Sequence, residues 1–330
     1  MTMITLKPTP TKLSSRTWFV LTMLAVTGQI AWAIENSWFN PFVFDTLTPD
    51  PRPVAWMVGV SAITATLTTL IVGTLSDRTR VKLGRRKPYI LFGYILWGVA
   101  TALFPTVAFI KATSIAVVMV VIADAVMTFF GSTANDAAFN AWTTDITDTS
   151  NRGRVESVLQ IAVFVANIIT FVAAGAIIDA FGYFIFFYAL GIIVILSGIV
   201  AGGLLREPPI PEEELSAERP PFLRELFGAF RWQTVRENPF LFLLLLNIMI
   251  FSIGGQISFP YLLIYFENAL GFSKTEFGYL AGGVLTFNVL LAIPFGWLAD
   301  RWDRRKLLIL ASLTAAVGVF FFSFMRSLPE

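Results

Sequence analysis

Apolar residues fall along this chain in nine runs, each close to the 20 or so that carry a helix across a hydrocarbon layer of ~30 Å. The runs are roughly 17–38, 54–75, 89–109, 114–141, 156–179, 182–204, 239–266, 273–299 and 306–325. Most polar breaks between them are short. The exception is 205–238, where Arg206-Glu207-Pro208-Pro209 ends the sixth run and Glu212, Glu213 and Glu214 form a solvated acidic stretch. After it, Phe222, Leu223, Leu226, Phe227 and Phe230 recur at helical spacing among charges, which predicts an amphipathic helix lying on the membrane surface. The pattern predicts an all-α membrane protein: a six-helix bundle over 1–205, a linker over 206–238 and a three-helix partial bundle over 239–330. Two equal halves need three more helices. The expectation is a twelve-helix design truncated in its last quarter, with a nine-helix protein as the alternative.

Composition supports that class. Of 330 residues, 56% are hydrophobic and 14% charged, against about a quarter charged in soluble domains. The first run is too long, and lacks the small-residue cleavage site, for a removable signal. With the N-terminus inside, the 24 Lys and Arg divide 20 inside to 4 outside, which predicts a multi-pass protein of the cell membrane with a cytoplasmic N-terminus. There is no Cys and no His. That removes disulfides, thiol nucleophiles, Ser-His-Asp chemistry and most metal sites. No enzyme activity, cofactor, metal or nucleic-acid partner is expected.

A short string occurs twice, each time at the end of an apolar run: Gly73-Thr74-Leu75-Ser76-Asp77-Arg78 and Gly296-Trp297-Leu298-Ala299-Asp300-Arg301. Basic clusters follow each copy, at Arg85, Arg86 and Lys87 and at Arg304, Arg305 and Lys306. Gly73 lets helix ends approach closely. Asp77 can meet the positive N-terminus of a helix from the other half and hold an inner gate shut. The arginines can compensate it and bind lipid headgroups. By the same repeat, Asp300 is expected near Arg152 to Glu156. The plainer reading is that the basics enforce topology and the glycine only packs.

These residues resemble the major facilitator superfamily. The longer first loop, running from Asp77-Arg78 through Gly84-Arg85-Arg86 to Tyr89, looks like that of the glycoside–pentoside–hexuronide cation symporters and the related sucrose transporter-like proteins. Asp145, followed after six residues by Arg152-Gly153, is a second point of likeness. The resemblance implies alternating access, a gate built from these loops, and a cavity lined by the first, fourth, seventh and tenth helices. It implies a sugar or glycoside as substrate, moved by symport; another small organic solute, or a non-transporting remnant, are the alternatives. The acidic pair that marks sodium-coupled members is replaced by Ala65 and Thr69, so a proton is favoured over sodium as the coupling ion.

Charges within the hydrocarbon are costly, so each is a functional candidate. Asp124 lies ~15 Å into the fourth run, near the midplane. Thr128, Gly131 and Asn135 follow it on one face, predicting a cavity wall, while Asp136 points about 120° away and reads as a helix-end contact. Asp124 is the first candidate for coupling and Glu35 the second. Gln29, Trp32 and Asn36 share a face of the first run, and amides, an acid and an indole suit a sugar. Here the plainer reading is an interfacial belt with Glu35 wet. Asn247 and Gln256 on the seventh run complete the substrate-binding candidates.

Overall fold

The computed structural model describes residues 13–209, 222, 232–302, 304–322 and 324. Within these, regular structure is helical: α1 Ser15–Thr46, α2 Arg52–Arg78, α3 Lys87–Leu103 extended by a 3-10 turn Phe104–Phe109, α4 Thr113–Gly131, a π-helical segment Ser132–Phe139, α5 Asn140–Asp145, α6 Arg152–Leu204, the short α7 Trp232–Glu237, α8 Pro239–Asn268, α9 Lys274–Arg301 and α10 Arg304–Phe322. Six stretches among the described residues are long and apolar enough to cross a membrane. One of these, α6, is two helices joined at Gly182, whose φ of 79° and ψ of 168° lie where only glycine is at ease. Helices therefore stand at all nine predicted positions among the described residues. The predicted amphipathic helix and acidic run fall outside the described residues, apart from Phe222.

One boundary differs in a way that matters. The apolar run predicts an end near Trp38, before Asn40 and Pro41, yet α1 continues to Thr46 with Pro41 inside it. Tertiary packing carries the helix past the proline. Phe39 stacks on Phe104 at 4.0 Å and meets Phe187 edge-on at 4.8 Å, and Phe42 lies 5.5 Å from both. Such pairs contribute about 0.5–1.5 kcal/mol each beyond burial, enough together to offset much of the ~3 kcal/mol cost of an interior proline.

The lipid-facing side of the bundle is apolar, with Trp56, Phe92, Ile122 and Ile192 exposed. Inside, small residues bring helices together, as expected where apolar surface alone gives helices no preference for each other over lipid. Gly98 of α3 and Gly191 of α6 meet backbone to backbone: a Cβ on either would strike the other's carbonyl oxygen. On the other limb of α6, Gly175 lies against the Lys274 carbonyl and Phe171 against Gly278. The contacts between the first six spans and the rest thus include α6 with α9 and α1 with α8.

Candidate functional site

Chain direction explains the central site. α1 and α4 run antiparallel, so depth is counted from opposite helix ends. Glu35 stands 11 residues before the end of α1, and Asp124 stands 11 residues after the start of α4. At 1.5 Å per residue both lie roughly 16 Å below the same face. The extension of α1 past Pro41 is what moves Glu35 from the predicted interface to mid-membrane. Glu35 is only 8% exposed and Asp124 3%. Thr128 Oγ1 lies 2.8 Å from Glu35 Oε1 and 3.1 Å from Ser61 Oγ, and the Ser61 hydroxyl donates to Asp124 Oδ2. Ser61, on α2, was not singled out by sequence reasoning; a lone serine in an apolar run gives no signal.

Asp136 is a correction. On an ideal α-helix it points about 120° from Asp124. Here residues 132–139 are π-helical. A helix closed by i→i+5 bonds turns only about 80–90° per residue, not 100°. Over the five residues from Gly131 to Asp136 that rotates the side chain back toward Asp124. Asp136 consequently lines the same cavity, of about 310 Å³, as Glu35 and Asp124. Asn135, predicted for the cavity wall, turns the other way. Its Oδ1 accepts from the Tyr94 hydroxyl at 3.1 Å, which lies 3.1 Å from the Leu24 carbonyl as well. Gly131 is packed against Trp32 and Trp97. The expectation of a single midplane carboxylate is likewise replaced by three acids in one cavity.

Gln29, Trp32 and Asn36 from α1 line this cavity with Gln256 and Pro260 from α8. The same Gln29, Trp32, Asn36 and Gln256 also line an adjoining cavity of about 560 Å³, with Asn167 and Ser252. The two are chambers of one space. Trp32 is held by Trp97, ring centres 5.1 Å apart. Asn36 Nδ2 donates to the Trp32 carbonyl at 2.8 Å. Pro260, four residues after Gln256, lies inside α8 and cannot supply the N–H of a regular helical bond to the Gln256 carbonyl. Asn247 is nine residues away along α8, about 13 Å, and lines neither chamber. No Lys or Arg is among the residues lining either chamber.

The basic loop forms a second constellation. Arg86, 4% exposed, donates from Nη1 to Ser76 Oγ at 2.5 Å, from Nε to Asp145 Oδ2 at 3.1 Å, and pairs through Nη2 with Asp77. Arg85 Nη2 reaches Asp145 Oδ1 at 2.8 Å. Asp145 thus pairs with the first loop, while Arg152 is exposed and 3.9 Å from Glu156, a surface pair worth little. Glu207 was read only as a helix end. Its carboxylate accepts from the N–H groups of Arg85, Arg86 and Lys87 at 2.8, 2.9 and 2.6 Å, at the positive end of α3. Gly84 permits this: its φ is 110°, and a Cβ there would overlap Glu207. Among the described residues, nothing lies within 4 Å of where a Cβ on Gly73 or Gly153 would stand. Arg78 lies over the Phe222 ring at 5.6 Å. Arg301 is exposed. The side chain of Asp300 and the position of Gly296 against its neighbours lie outside the described residues, and with them the expected Asp300 contact.

A third constellation closes the opposite end. Lys274 at the start of α9 pairs with Asp45 of α1 at 3.0 Å and Glu267 of α8 at 2.7 Å. Tyr183 donates to the same Asp45 oxygen at 2.8 Å, and Thr275 donates to Asp179 through its N–H at 2.9 Å and its hydroxyl at 2.6 Å. These bonds tie α1 and α6 to α8 and α9. Lys274→Ala is expected to loosen this end. Because the chain has no Cys, a cysteine placed at Asn36 can be labelled selectively. Its reaction with a membrane-impermeant maleimide added on the side away from the basic loops should rise about tenfold with the Lys274 change, as loss of a half-buried ion pair shifts a two-state balance. An unchanged rate would show that these pairs do not hold that end closed.

A membrane-spanning helical bundle with a buried polar cavity between its halves has the architecture of a solute transporter. The sequence pattern of the Major Facilitator Superfamily matches residues 18–329, and the chain belongs to that superfamily. It is also 31% identical, over 75 residues or 23% of its length, to an uncharacterized MFS-type transporter, YdeE, of Escherichia coli strain K12. That match covers 19% of YdeE. Neither match singles out a sugar-symporting branch.

Proposed function

We propose that this chain is a secondary active transporter that moves a small organic solute by alternating access and is coupled to protons. The observation that carries the proposal is the cavity in which Glu35, Asp124 and Asp136 face a space lined by no Lys or Arg. A buried carboxylate is accommodated either as the neutral acid or beside a cation. Proton uptake and release at these groups is therefore a natural means of coupling. The bundles over 1–205 and 239–330, joined by 206–238, are the two rocking units. The Lys274 cluster is the closed gate of this conformation. The Arg85–Arg86–Asp145 lattice is the pivot at the other, cytoplasmic end, where the basic residues also meet lipid headgroups of the cell membrane.

A sugar or glycoside, the substrate that the sequence resemblance implies, is the narrower reading, favoured by Trp32, Gln29, Asn36 and Gln256 around the cavities. Sodium is less favoured, since α2 presents Ala65 rather than an acid to the cavity. The test is proton movement. The full chain is placed in liposomes holding a pH-sensitive dye, and candidate solutes are added outside. Solute-dependent proton flux, absent from protein-free liposomes, is expected. Solute uptake without any proton flux would overturn the proton coupling.

A further inference from the structure

We infer that Glu267 is a brake on closure of the gate at Lys274: its charge destabilises the closed form, so neutralising it shuts the gate more tightly, whereas neutralising Asp45 on the same lysine opens it. The inference rests on the proposed reading of the Lys274 cluster as a gate, and it gives the two acids of that gate opposite roles.

Both acids meet one nitrogen. Lys274 Nζ lies 3.0 Å from Asp45 Oδ2 and 2.7 Å from Glu267 Oε1. The acids differ in which bundle carries them. Asp45 stands at the end of α1, and its Oδ2 also accepts from the Tyr183 hydroxyl of α6 at 2.8 Å. It bonds Lys274 only while the two bundles meet at this end. Glu267 and Lys274 flank the turn between α8 and α9. That turn is built to keep its shape. Gly271 takes a φ of 74°, and the Phe272 N–H donates to the Phe266 carbonyl at 3.0 Å. The Phe266 ring packs on Phe272 and Phe277, and Ser273 and Glu276 form a capping box. Glu267 therefore keeps Lys274 when the bundles part, and Asp45 does not.

A group shifts a two-state balance only through interactions that differ between the states. For Asp45 the difference is its bond to Lys274, which favours closure. For Glu267 the difference opposes closure. Closing brings Glu267 beside Asp45: their oxygens, 2.7 and 3.0 Å from one nitrogen, stand less than about 6 Å apart. Asp179 of α6 adds a further negative charge to the field at Glu267. Like charges this close repel. Closing also dries Glu267. Its side chain is 10% exposed, and its buried Oε2 has no hydrogen-bond partner among the described residues, a setting that penalises a carboxylate. Drying strengthens the attraction to Lys274 as well, but the desolvation penalty of a buried pair can exceed that gain. The repulsion from two acids then decides the sign. One lysine among three acids closes the gate firmly enough to hold and loosely enough to open in each cycle.

The experiment labels Asn36→Cys in the otherwise cysteine-free full chain, in liposomes, with the impermeant maleimide added on the side away from the basic loops. Asp45→Asn is expected to raise the labelling rate about tenfold, and Glu267→Gln to lower it about threefold or more. Glu267→Asp keeps the charge and is expected to stay within about twofold of the parent. Placed on top of Asp45→Asn, Glu267→Gln is expected to slow labelling less than it does in the parent. The nearest repelling charge is then gone, and residues that share a partner are not additive. A rate in Glu267→Gln equal to or above the parent's would overturn the brake and leave the gate standing. Equal slowing by Glu267→Asp, or undiminished slowing in the double variant, would do the same. An unchanged rate in Asp45→Asn would sink the gate itself, and this inference with it.

Discussion

Asp124→Asn is expected to abolish solute accumulation against a gradient while leaving solute exchange across the membrane measurable. The carboxylate sits 3% exposed, held by the Ser61 hydroxyl and close to the Thr128 hydroxyl that also meets Glu35. Asparagine keeps the size and the acceptor for Ser61 but cannot take up or lose a proton. If the acids carry the coupling, the pH gradient is uncoupled from transport and the accumulation ratio falls from its wild-type value to one. The polar network survives, so insertion and thermal stability in detergent are expected to change little. The measurement is accumulation in liposomes with and without an imposed pH gradient. Persistence of wild-type pH-driven accumulation in Asp124→Asn would make that residue structural. Glu35→Gln is then the decisive second variant, because Glu35 shares the cavity.

The second large effect is expected at Arg86. Its guanidinium joins Ser76, Asp77 and Asp145, tying the end of α2 to the end of α5 beneath the start of α3. Arg86→Ala leaves Asp145, whose side chain is 14% exposed, facing Arg85 alone. Removing one member of a buried ion pair costs about 3–5 kcal/mol; the 44% exposure of Asp77 puts the expected loss at about 2–3 kcal/mol. Arg86→Lys is expected to recover only part of it, since a point charge cannot span three acceptors as a planar fork does. Thermal unfolding of the solubilised protein reads the stability, and uptake by a parallel preparation reads the proposed pivot. Wild-type values of both in Arg86→Ala would show the lattice to be ornamental at this end of the molecule.

The linear pattern determined the helices and their order. Each of the nine apolar runs became helix among the described residues, because a backbone in lipid must satisfy its own hydrogen bonds and a helix is the simplest segment that does so. It also pointed to the basic loop and to Asp124, Glu35 and Gln256, because ionisable and amide groups inside apolar runs stand out whatever surrounds them. Tertiary structure decided what those residues do together. Phe39 and Phe42, packed on Phe104 and Phe187, carry α1 through Pro41 and so sink Glu35 to the depth of Asp124. The π-helical turn exchanges Asn135 for Asp136 at the cavity wall. Its one sequence trace is the run of small residues from Ser132 to Ala138, which lets the widened turn press against α3, where Gly93 meets Ala134. Asp145 lies about 60 residues along the chain from Arg85 and Arg86, and Glu207 about 120 from the N–H groups it accepts from. Hydropathy reports how long a segment stays in lipid. Helix phase and cross-chain pairing are settled only when neighbouring helices pack, since a shift of one residue in phase alters which side chains meet without altering the apolar content that the sequence displays.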